Sequence, residues 1–117
     1  MININTQIYP YRLDIRSGEP IELVIKITNL NSSSKLLGFD IILDPNLCLE
    51  KNSLKKSQRK RLGDIVAKES KLFKFNIYPF QGITPGKYRI KLKVSEHFND
   101  YNYIESFTEK FIEINAI

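Results

Sequence analysis

One histidine, His97, and one cysteine, Cys48, are all the imidazole and thiol chemistry in these 117 residues. Nucleophilic or acid–base catalysis needs such a group beside a second one that orients it. His97 stands beside Phe98, near the end of an alternating apolar segment. A lone histidine there reads as a surface or turn residue. One cysteine allows no internal disulfide and no thiolate metal cluster, and zinc would need a second histidine. Asp44 and Asn46 in "DPN", and Asn99 and Asp100 in "FND", offer oxygen ligands of the kind calcium takes. Asx residues at turns have a sufficient conformational reason to be there. No phosphate-cradling glycine loop, nucleophile elbow or dinucleotide fingerprint is present. The expectation is a protein that is not an enzyme and holds no cofactor or metal.

One stretch has electrostatic character. "KNSLKKSQRKRLG", residues 51–63, carries Lys51, Lys55, Lys56, Arg59, Lys60 and Arg61 and no acid. The chain's net charge is +5, and these bases account for all of it. Read as a crossover loop, the stretch is either solvated or a site for an anionic partner: nucleic acid, an acidic protein surface or an anionic membrane. Its cations lie within about one Debye length of each other and act as one field. Contacts to phosphates would be salt-dependent. No aromatic residue lies between Phe39 and Phe73, so the loop has no stacking platform of its own. A weaker basic row is Lys87, Arg89, Lys91 and Lys93 on one side of "KYRIKLKV". Glu105, Glu109 and Glu113 in the next segment are placed to neutralise it across an antiparallel pair.

The elements that position these residues alternate with a period of two. Strands are expected at 11–16, 20–29, 36–44, 47–50, 70–78, 86–97 and 103–114. Turn signals "RSGEP", "NLNSSSK", "DPN", "GITPG" and "HFNDYN" separate most of them. Leu23, Ile25, Phe39, Ile41, Phe73, Phe75, Tyr88, Ile90 and Leu92 form the expected core. Phe107 and Phe111 are out of phase with Ile112 and Ile114, which a β-bulge near Glu109-Lys110 would reconcile. Residues 54–61 could form a short helix capped by Ser53. About seven strands imply an all-β, Ig-like antiparallel β-sandwich with Greek-key connections, one domain over 1–117. Tyr88, early in the penultimate strand, stands where such domains carry a tyrosine corner.

"GEPIELVIKITN", "GDIVAKESKLFKFNI" and "ITPGKYRIKLKV" resemble the Ig-type, CARDB-like repeat domains of archaeal and bacterial cell-envelope proteins. Gly18, Glu19, Thr28, Asn29, Gly63, Glu69, Pro85, Gly86 and Tyr88 carry the resemblance over residues 18–114. Ala67-Lys68 stands where Pro-Gly is usual. The resemblance implies turn and strand-start residues and no catalytic ones. Adaptor appendage domains and some intracellular peptidase inhibitors share the architecture.

The segment "MININTQIYPYR" lacks the pattern of a signal peptide, and no apolar run is long enough for a membrane helix. A cytoplasmic chain is expected, or an extracellular one if it is cut from a larger envelope protein. The function expected is a protein-interaction or accessory module. The alternatives are nucleic-acid binding through 51–61, helped by Lys87, Arg89 and Lys91, and peptidase inhibition through "NLNSSSK" and "HFNDYN".

Overall fold

A computed structural model describes residues 1–51 and 53–117. Their strands are β1 (Ile2–Tyr9), β2 (Arg12–Leu13), β3 (Ile21–Asn29), β4 (Lys35–Leu43), β5 (Leu47–Cys48), β6 (Ser57–Ile65), β7 (Ser70–Pro79), β8 (Gly86–His97) and β9 (Ile104–Ala116). Two sheets face each other, one ordered β1-β3-β7-β5 and the other β2-β9-β8-β4-β6. The chain is an all-β sandwich in which most consecutive strands change sheet. The pairs are antiparallel except β2 with β9, two residues in parallel.

Period-two alternation builds the core. In β8, Ile90, Leu92 and Val94 point inward and are fully buried. Leu23, Ile25 and Ile27 do the same from β3. Phe39 of β4 meets Phe73 and Phe75 of β7 at ring-centroid distances of 4.8 and 6.0 Å, so one aromatic cluster ties the two sheets. Tyr88 packs against the core and its hydroxyl donates to the carbonyl of Thr84, four residues upstream. That is the bond of a tyrosine corner.

Several sequence expectations change. Residues 2–9 form a full strand along β3, with Ile2 and Ile4 buried, whereas the strand expected at 11–16 shrinks to Arg12–Leu13. Asp14 then turns the chain, accepting from the amide of Arg16 at 3.0 Å. The short helix over 54–61 does not form. Ser53 instead accepts from the amide of Lys55 at 3.0 Å, and Ser57–Ile65 is an edge strand paired to β4. The cause is burial on alternate sides. Lys60 lies opposite the core residue Phe39 and holds its ammonium 5.0 Å from the Phe73 ring centroid, while Leu62 and Ile65 are buried. Long aliphatic stems let lysines serve as inward strand residues. No bulge occurs at Glu109-Lys110, where β8 and β9 stay in register. Phe107 and Phe111 face outward instead, and the irregularity falls between Glu96 and His97.

Candidate functional site

The basic stretch is not a single loop field. Lys51 is exposed. Lys55 pairs with Glu50 at 3.4 Å. Lys56 turns inward, donating to the Leu47 carbonyl at 2.7 Å and lying 3.8 Å from the Phe80 ring centroid. Arg59 pairs with Asp40 at 2.9 Å. Lys60 points into the sandwich, as above. Arg61 lies over the Tyr101 ring at 4.7 Å. Only Arg59 and Arg61 therefore join the outer face of the five-stranded sheet, beside Asp40 and Gly38 of β4.

The row on β8 lies on that same face. Its neutralisation is diagonal. Lys87 reaches Glu113 and Lys91 reaches Glu109, both at 3.6 Å. Glu105 leaves the row and pairs with Lys35 at 2.9 Å. Arg89 and Lys93, directly opposite Glu113 and Glu109, stand instead over Phe111 and Phe107, at 5.3 and 4.5 Å from the ring centroids. Phe107 and Phe111 remain 56% and 53% exposed on the outer face of β9, an open edge at these positions because β2 pairs with it only at Asn115 and Ala116. Cations over such rings add modest attraction.

The turn between β8 and β9 closes one end of the face. Tyr101 donates to the Leu37 carbonyl at 3.1 Å and accepts from the Gly63 amide at 3.0 Å. It thereby fastens the turn across the bulge where β6 gains Leu62 against β4. Gly63 takes φ 76° there, a conformation glycine adopts without strain. His97 stacks edge-on to Tyr101 at 4.9 Å. It is the last residue of β8 and only 9% exposed, so the expectation of a surface or turn histidine fails. Gly38, Asp40, Arg59, Arg61, Lys93, Ser95, His97 and Tyr101 line a pocket of about 180 Å³ at this end.

The remaining polar candidates serve the fold. Asp44 accepts from the Asn46 amide at 2.8 Å, and Asp100 from the Asn102 amide at 2.8 Å. Asn99 takes φ 66° in the same turn. Cys48 is buried with its thiol toward the Tyr78 carbonyl at 3.6 Å. Glu96 is buried and accepts from Ser106 and Asn31. Burial would raise its pKa, but those hydrogen bonds, the Met1 amine and Lys35 outweigh it and hold the carboxyl below its ordinary value. Among the described residues no three His, Cys, Asp or Glu side chains converge as a metal site. No helix among them is long and apolar enough to cross a membrane.

Sequence reading missed Gly38, Tyr101, Phe107 and Phe111. The signal for the two phenylalanines was their phase: out of step with Ile112 and Ile114, they belong to the opposite face.

No family model matches the chain, and no curated protein matches it in sequence. Solved structures do match in fold. The CARDB domain of a Pyrococcus furiosus protein, solved in complex with di-metal ions, has 18% identity and a TM-score of 0.61, covering 99% of this chain and 92% of that one. The fold is a CARDB-like, Ig-like β-sandwich. The sandwich also matches Escherichia coli α2-macroglobulin, with 14% identity and a TM-score of 0.69, over 98% of this chain and 16% of that one. AvmM, which catalyses macrocyclization in alchivemycin A biosynthesis, matches with 12% identity and a TM-score of 0.65, covering 98% of this chain and 88% of that one. A CARDB-like sandwich is thus found as a small part of a long protein and in one that catalyses a reaction, so fold alone does not assign a role.

Proposed function

We propose that this chain is a non-catalytic accessory domain that docks an acidic polypeptide on the outer face of its five-stranded sheet. The observation that carries the reading is the pair Phe107 and Phe111, exposed on the outer face of β9, where that strand is an open edge of the sheet, with Lys93 and Arg89 over their rings. Exposed apolar surface rimmed by charge marks interaction sites. Aromatic residues and arginine are the side chains enriched at interface centres. The face sets Arg59, Arg61, Lys87, Arg89, Lys91 and Lys93 against Asp40, Glu109 and Glu113, leaving a cationic surplus that an acidic partner complements. The interspersed carboxylates disfavour a continuous phosphate backbone.

One observation favours a second reading. Tyr101, Phe107 and Phe111 give the cations stacking planes that residues 51–63 lack, which suits single-stranded nucleic acid. An amide NMR titration at physiological salt separates the two. A glutamate–tyrosine copolymer should move the signals of Lys91, Lys93, Phe107 and Phe111. No movement with the copolymer overturns the acidic-polypeptide reading. So does an unstructured oligonucleotide that moves the same signals at lower concentration.

A further inference from the structure

The pocket beside Tyr101 is built from a missing side chain. Gly38 faces outward on β4, flanked by Arg61 on β6 and Ser95 on β8. A Cβ placed on Gly38 would lie 3.1 Å from His97 Nε2 and 3.8 Å from Tyr101 Cε1. A side chain at position 38 would therefore crowd His97 and intrude on the space. At about 180 Å³ the pocket is well above what one water needs.

Its lining is cationic. Arg59, Arg61 and Lys93 border it from two strands, and Lys60 adds its stem while its ammonium turns inward. The one acid in the lining, Asp40, already accepts from Arg59 Nε at 2.9 Å. Among the described residues Arg61 and Lys93 form no ion pair; Arg61 lies over the Tyr101 ring and Lys93 over that of Phe107. His97 is more than nine-tenths buried against this space. Its Nδ1 is sealed without a hydrogen-bond partner among the described residues, and its Nε2 borders the void over Gly38. The sealed Nδ1 is out of a ligand's reach; the ring atom a ligand in the cationic pocket can partner is Nε2.

We propose that the pocket over Gly38 binds the phosphoryl group of a small molecule, with Arg61 and Lys93 as charged donors and Ser95 and His97 Nε2 as further hydrogen-bond donors. A tetrahedral oxyanion accepts from several directions at once, as donors on β6 and β8 on either side of one glycine require. The site does not rest on the polypeptide docking proposed above, although Arg59, Arg61 and Lys93 belong to both. It occupies the closed end of the sheet, away from Phe111.

The test is NMR titration of the whole chain with orthophosphate and, separately, with phosphoserine, at constant ionic strength and pH. The ring nitrogens of His97 and the amides of Gly38, Arg61 and Ser95 should shift and saturate. Sodium chloride at equal ionic strength should leave them still. Arg61→Gln, on an exposed side chain, should weaken binding about tenfold or more while the rest of the spectrum is unchanged. Gly38→Ala, whose methyl would crowd His97 Nε2 at the pocket wall, should weaken the His97 shift. A phosphoserine response with none to orthophosphate would place the source in an esterified phosphoryl group and supports the site. Shifts spread over exposed lysines, an equal response to chloride, or undiminished binding by both variants would overturn it.

Discussion

Glu96 shows what a buried charge needs in this fold. It takes hydrogen bonds from Ser106 and Asn31, and these hold its pKa below the ordinary 4.5 despite burial. A depressed carboxyl contributes stability above its unfolded pKa and loses it as pH falls through the folded one. Glu96→Gln should therefore cost most near neutral pH. The gap in denaturant midpoint between wild type and variant should close as pH drops below 4.5; a gap that widens in acid would contradict this. Lys68 is a second residue with a local conflict. It occupies the usual glycine position of the CARDB-like pattern and takes φ 69°, the left-handed region that side chains disfavour. Its Nζ bond to the Leu30 carbonyl is exposed and worth little. Lys68→Gly should raise stability by up to ~1 kcal/mol, read as a higher denaturant midpoint. A fall beyond ~0.5 kcal/mol would show that the lysine's contacts outweigh the backbone strain. The departure at Ala67-Lys68 was visible in the sequence. That the backbone keeps the glycine conformation was not, because one sequence does not show φ.

At the element scale, β9 has two faces with different work. Ile114 is fully buried, whereas Phe107 and Phe111 are more than half exposed. Ile114→Ala should cost ~2–5 kcal/mol through the cavity it leaves. Replacing both phenylalanines by serine should cost less, about 1 kcal/mol each, because each ring is only about half buried. Equal losses from both faces, measured by denaturant unfolding, would mean that the phenylalanines serve packing and not docking. The strands with strict alternation, β3 and β8, were legible because one period matched one buried face. β9 misled because its outer face carries two phenylalanines among its glutamates, and a bulge is the simpler guess when alternation must yield a single core. β6 misled for the converse reason. Lys60 within it and Lys56 just before it turn inward, and their polar ends hide that they lie over Phe73 and Phe80. A basic strand edge also resists edge-to-edge pairing, which suits an uncovered strand of nine residues.

At the scale of the molecule, two sheets of different character form a body of 46 × 24 × 18 Å. The core list of Leu23, Ile25, Phe39, Ile41, Phe73, Phe75, Tyr88, Ile90 and Leu92 was readable because packing depends on residue type and phase. The candidate face was not readable. It joins Arg61, Lys93, Tyr101, Phe107 and Phe111 from three strands and a turn, and only strand order and register bring them together. The most direct test places a photo-reactive phenylalanine analogue at Phe107 and, separately, at Leu72, which is exposed on the other sheet. Each is irradiated in living cells of the source, and the adducts are digested with nuclease. Docking on the five-stranded sheet predicts a discrete, nuclease-resistant protein adduct from position 107, none from position 72, and its loss when Phe111 is also changed to serine. Adducts from position 72 alone, or a nuclease-sensitive adduct from position 107, would contradict it.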